Sequence, residues 1–138
     1  MKSIICSTCG VIGGFITYIV GGWDMAILTL LIFMAIDYIT GLIVAGIFHK
    51  SKKTASGGLN SKIGFLGLAK KVVVFLLIIV AQLLDLILGI DFVRNSVIIA
   101  FITNEVISII ENAGLMGVPM PKVIHKALDL LQDQTEGE

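Results

Sequence analysis

Asp37, Asn104, Glu105, Ser108 and Glu111 interrupt long runs of Ile, Leu and Val, where a hydrogen-bonding side chain is most costly to keep. A carboxyl group in such a setting can hold a proton or an ion, pair with a cation, or wet the wall of an opening. A neighbouring amide or hydroxyl can orient it. An ionised Asp at mid-bilayer costs roughly 2.5–3.5 kcal/mol on insertion scales, so Asp37 is expected to be protonated, partnered or turned toward water, and not to face lipid. Asn104, Ser108 and Glu111 cluster on a helical wheel, with Glu105 and Asn112 widening the polar arc. These groups either pair within one bundle or form a shared or water-lined surface between copies.

Other chemistry fails on spacing. Gly57-Gly58-Leu59-Asn60-Ser61-Lys62 lacks the G-x-x-x-x-G-K-[ST] order of a phosphate-binding loop. Cys6 and Cys9 form a C-x-x-C pair without a flanking βαβ pattern or further zinc ligands, and read as small packing residues. His49 and His125 flank lysines far apart in the chain and are expected to be solvated. No nucleophile, base and orienting residue stand in a recognisable arrangement. The expectation is a non-enzymatic protein with no cofactor and no metal, and with no support for nucleic-acid binding beyond one lysine-rich loop.

The elements that must position these groups belong in a bilayer. Apolar residues make up 57% of the 138-residue chain and charged residues 14%, against about 25% charge in soluble domains. Four apolar stretches account for this: Ile4 to Val20, Met25 to Phe48, Val72 to Ile90 and Ser96 to Leu115. As a helix the second is about 36 Å long, enough to cross a hydrocarbon core of ~30 Å with some tilt. The first is short and either spans or lies re-entrant or interfacial, which would leave three crossings. It also resembles a signal peptide, but another membrane-length segment follows closely, so it is expected to be retained. The fold class is therefore an all-α integral membrane bundle of about four transmembrane helices, with three possible.

Gly21-Gly22-Trp23-Asp24 reads as a tight turn, with Trp23 at headgroup level and Asp24 capping the next helix. Residues 49–71 read as a polar linker carrying Lys50, Lys52, Lys53, Lys62, Lys70 and Lys71 and no acid. Positive charge is retained in the cytoplasm, so this loop is placed inside, with the N-terminus and Lys122 and Lys126 on the same side. Asp85, Asp91 and Arg94 then mark an external turn. Small residues offer contact faces: Gly41 with Ala45 beside Asp37 and Thr40, and Gly10 with Gly14 in the first span.

After the fourth stretch, Gly114 to Pro121 breaks the helix. The division expected is a membrane unit over 1–117 and a cytoplasmic segment over 118–138. In that segment Val123, Ile124, Ala127, Leu128 and Leu131 share one face of a short amphipathic helix, which packs on the bundle or a partner, or lies on the inner leaflet. Residues 132–138 read as a polar, acidic end that frays.

Three blocks carry a family resemblance: Asp37-Tyr-Ile-Thr-Gly41; Leu59-Asn-Ser-Lys-Ile-Gly64 through Gly67-Leu-Ala-Lys-Lys71; and Asn104 to Asn112 leading into Gly114-Leu-Met-Gly-Val-Pro-Met-Pro-Lys122. In order, spacing and G-x-P-x-P-K ending they resemble the toxin secretion/phage lysis holin family, with the segment up to Gly22 outside the match. The resemblance implies a protein of the bacterial cytoplasmic membrane that forms homo-oligomers and opens lesions releasing an endolysin or a toxin. Competing readings are a narrow ion channel or ion-coupled transporter using Asp37 and Glu105, and a non-permeabilising antiholin or scaffold. Small multidrug exporters of this size carry an acid in the first span, and none is present here.

Overall fold

The computed structural model describes residues 1–137. Among them the chain forms only helices: α1 (Lys2–Val20), α2 (Met25–Gly46), α3 (Ser61–Leu88), α4 (Val93–Leu115) and α5 (Lys122–Glu136). The first four are long and apolar enough to cross a membrane, so all four apolar stretches become candidate spans.

Their ends follow local chemistry. Asp24 caps α2, its Oδ1 accepting from Ile27 N at 3.0 Å, and Asn60 caps α3 by accepting from Ile63 N at 3.2 Å. α1 stops at Gly21, whose left-handed φ of 82° suits glycine. A side chain there would also collide with Gln82 Oε1. Trp23 Nε1 donates to Thr17 Oγ1 at 2.8 Å, and its ring stacks on Phe75 of α3 with centroids 6.4 Å apart. The turn between α1 and α2 is thereby fastened to a third helix.

α4 is the centre of the bundle. It packs on α2, α3 and α5, whereas α2 and α3 touch only sparingly and α1 leans on α3. The shared core is Val20, Ile27, Leu30, Met34, Ile78, Ile98 and Ile102. The outward faces are equally apolar: Phe65, Leu76, Val80 and Ile87 are all exposed. In water such a surface would drive aggregation; in a bilayer it is the lipid-facing side. The molecule is a multi-pass membrane protein.

Two boundaries differ from those read in the sequence. The supposed linker over 49–71 ends early, because α3 begins at Ser61; Lys62, Lys70 and Lys71 are therefore helical. The Asn60 cap supplies the start, and Gly64 and Gly67, which look like loop residues, are carried within a long helix. Residues 132–136, expected to fray, continue α5 to Glu136, and Glu138 lies outside the described residues. α5 also folds back on α4, with Leu131 packed against the core cluster. Val123 and Leu130 stay exposed.

Arg94 of α4 is 5% exposed and ties together the turn between α1 and α2. Its Nε donates to Val20 O at 2.6 Å, Nη2 to Gly22 O at 3.1 Å and Nη1 to Asp24 Oδ2 at 2.7 Å. Asp85 of α3 caps α4 by accepting from Val93 N and Arg94 N, both at 2.9 Å. The hydrogen bond from Arg94 holds the Asp24 carboxyl below its ordinary value of 3.8; partial burial opposes the shift and the bond from Ile27 N reinforces it. The folded value is lower than the unfolded one, so the ionised pair stabilises above the unfolded value and that contribution disappears as pH falls through the folded value. Thermal unfolding in detergent should therefore be insensitive to pH near neutrality and weaken below about pH 4. Asp24→Asn, which can still cap α2, should lose part of that acid dependence. An identical acid profile in the variant would show that the pair contributes nothing to it.

Candidate functional site

Further along the bundle, near the middles of α2 and α4, three helices each contribute a charge. α2 presents Asp37, α3 presents Lys71 and α4 presents Glu105. Lys71 Nζ lies 2.9 Å from Asp37 Oδ2 and 2.6 Å from Glu105 Oε2, and the three side chains are 15%, 9% and 13% exposed for Lys71, Asp37 and Glu105 respectively. Asn112, further along α4, donates Nδ2 to Asp37 Oδ1 at 3.2 Å, to Asp37 O at 3.3 Å and to Thr40 Oγ1 at 2.9 Å. Thr40 in turn donates to Asp37 O at 3.0 Å. Gly41 lies beside this contact, where an added Cβ would stand 3.9 Å from Asn112 Nδ2, an ordinary contact distance.

This arrangement answers the cost of placing charge among apolar helices: Asp37 is partnered. Among the described residues no buried side-chain nitrogen or oxygen lacks a hydrogen-bond partner. The stoichiometry is nonetheless uneven, with two carboxylates sharing one ammonium. The cluster sits beside a cavity of about 380 Å³ that extends from Asp37 and Glu105 to the α2–α3 connection and is also lined by Asn104, Ser108 and Glu111. All five polar residues singled out in the apolar runs thus meet at one place.

Other singled-out residues fall elsewhere. Ala45 is buried, whereas a Cβ added at Gly10 or Gly14 would meet nothing within 4 Å, because the first half of α1 extends free of the bundle. Cys6 and Cys9 are free and exposed on the same stretch. Lys50, Lys52, Lys53, Lys62 and Lys70 are exposed. No group of three His, Cys, Asp or Glu side chains that could hold a metal occurs among the described residues.

Lys71 is the residue that sequence reasoning misses: it reads as a topology marker and is instead the counter-ion of the cluster. Two signals point to it. Asp37 demands a cation, and Lys71 is the lysine immediately abutting the apolar run that begins at Val72. Arg94 and Asp85 likewise read as external markers, yet they form a buried network.

The fold and the cluster define a small helical membrane protein whose polar groups are gathered inside the bundle and whose outer surface suits lipid. Residues 14–133 match the bacteriophage holin family. The chain belongs to that family, which points to a non-enzymatic membrane protein. It is 32% identical to a probable holin of Bacillus phage phi105 over 78% of this chain and 74% of the relative. It is also similar to uncharacterised proteins of Clostridium perfringens, 39% identical over 95% and 94% of the two chains, and of Halalkalibacterium halodurans, 32% identical over 96% of each. No solved structure matches. The family match begins at residue 14, inside the segment that the resemblance leaves out, and close to where α1 starts to pack at Ile16.

Proposed function

We propose that this protein permeabilises the bacterial cytoplasmic membrane by lateral self-association, releasing an endolysin or a secreted toxin. The observation that carries the reading is the Asp37–Lys71–Glu105 cluster, buried where three helices meet. In an isolated protomer these groups satisfy one another. As copies accumulate, a neighbouring copy or an inflow of water can satisfy them too, while the oily outer faces stay in lipid. The surplus carboxylate makes the closed arrangement the less comfortable of the two, because one ammonium cannot neutralise both acids. The basic α2–α3 connection and the C-terminal segment face the cytoplasm in this reading, in keeping with the lysines they carry.

The direct test is inducible expression in a bacterium, with and without a cytoplasmic endolysin, while membrane potential and turbidity are recorded. Abrupt lysis that requires the hydrolase supports the proposal; growth arrest without lysis, or no effect, opposes it. Glu105→Gln gives a sharper result, because it leaves Asp37 and Lys71 as a balanced pair. A gain of about 1 kcal/mol per closed protomer corresponds to roughly fivefold in equilibrium, so lysis should start later and at several-fold higher protein density. Unchanged timing at equal expression would sink the idea that this cluster governs opening.

A further inference from the structure

The polar cavity adjoins a second space of different character. On the side where α2 and α3 diverge, a groove of about 480 Å³ runs between Leu31, Met34 and Ile39 of one helix and Leu68, Val72 and Phe75 of the other. Tyr38 and Lys71 line both spaces, so the groove adjoins the cavity across these two side chains. Each volume falls within the roughly 300–1,000 Å³ of ordinary ligand sites. The groove wall is almost wholly apolar, whereas the cavity ends among Lys52, Lys53 and Lys70. Among the described residues none of these three lysines has a carboxylate at ion-pairing distance; the salt bridges use Lys71 and Arg94.

We propose that the cavity and groove together bind one anionic phospholipid with a hydroxyl-bearing headgroup, of which phosphatidylglycerol is the simplest. The charges assign its parts. The phosphate belongs among Lys52, Lys53 and Lys70, since a basic pocket between spanning helices suits an anionic headgroup. The headgroup hydroxyl donates to Glu111, an exposed acceptor that lines the same cavity one helical turn before the end of α4. A bare phosphate monoester would meet Glu111 as a like charge, and a choline headgroup has no hydroxyl to donate. An acyl chain descends past Tyr38 into the groove, covering apolar surface that α2 and α3 leave uncovered between them. Lys71 stands between Asp37 and Glu105 and offsets one of the two carboxylates, so one acid of that pair remains against the three lysines of the cavity. The site requires only that the basic end of the bundle lie at a membrane surface, so it does not depend on the permeabilising function.

The test uses the full-length protein purified in mild detergent, offered phosphatidylglycerol or phosphatidylcholine with the same acyl chains, with retained lipid counted by native mass spectrometry. The expected result is a preference on the order of tenfold for phosphatidylglycerol, contributed by the juxtamembrane lysines. Lys53→Gln with Lys70→Gln should bring the two lipids to parity. Ala35→Phe, which fills the groove from an exposed position, should lower retention of both, with helical content by circular dichroism confirming the fold of each variant. Excess inorganic phosphate should leave retention unaltered. Equal retention of the two lipids by the unmodified protein, an undiminished preference in the lysine variant, or displacement by inorganic phosphate would each overturn the proposal. Lysis is not read in this assay, so its failure is separable from failure of the permeabilisation reading.

Discussion

Lys71→Leu should destabilise the folded bundle by about 3–5 kcal/mol, the penalty typical of removing one partner from a buried ion pair. Among the described residues, the substitution removes the only cation in contact with Asp37 and Glu105 and leaves two carboxylates facing one another across the α2–α3–α4 junction. Asn112 can still donate to Asp37, but an amide offers no charge. The variant should therefore unfold at lower denaturant concentration in detergent. Adding Asp37→Asn and Glu105→Gln should restore most of the lost stability, because a cluster without charge needs no counter-ion. A single variant as stable as the parent would show that the cluster is solvated and energetically idle. A triple variant no better than the single would show that packing, and not charge, accounts for the loss.

Arg94→Ala should have an effect of similar size at the turn between α1 and α2, on the order of 2–5 kcal/mol, because it strands the carbonyls of Val20 and Gly22 and unpairs Asp24. Arg94→Lys should not repair it. One ammonium on a flexible stem cannot reproduce a planar fork that reaches two backbone oxygens and a carboxylate in fixed directions. The readout is local as well as global. Trp23 is the single tryptophan of the chain and stacks on Phe75 beside this network. Its emission should shift when Arg94 is removed and stay constant when Lys71 is removed. Emission that responds equally to both would mean that the two clusters are not independent.

The spans were legible because length and unbroken apolar character suffice to define them, and Asp24 was legible as a cap because its type and place satisfy a local rule. Asp37 announced that it needed a partner. Which partner was hidden, because Lys71 reaches it only through the way α3 crosses α2 and α4, and because Gly64 and Gly67 disguised the start of α3 as loop. Asp85 and Arg94 look like any charges at the ends of spans. Their inward turn follows from the short α3–α4 connection, which brings the Asp85 carboxylate over the free N–H groups of α4. The amphipathic character of α5 was visible in its residue spacing, but the neighbour that receives Leu131 was not, since a stripe of leucines does not name its contact.

The two fastenings differ in what they hold. Arg94 grips two main-chain oxygens, which no side-chain rearrangement can withdraw, besides the side chains of Asp24 and Asn95, whereas Lys71 grips only two side chains, which can rotate to other partners. The bundle is therefore held unequally along its length: the turn at Trp23 is anchored partly through the backbone, whereas at Lys71 the three helices are joined through side chains alone, so a force that parts the helices meets less resistance there.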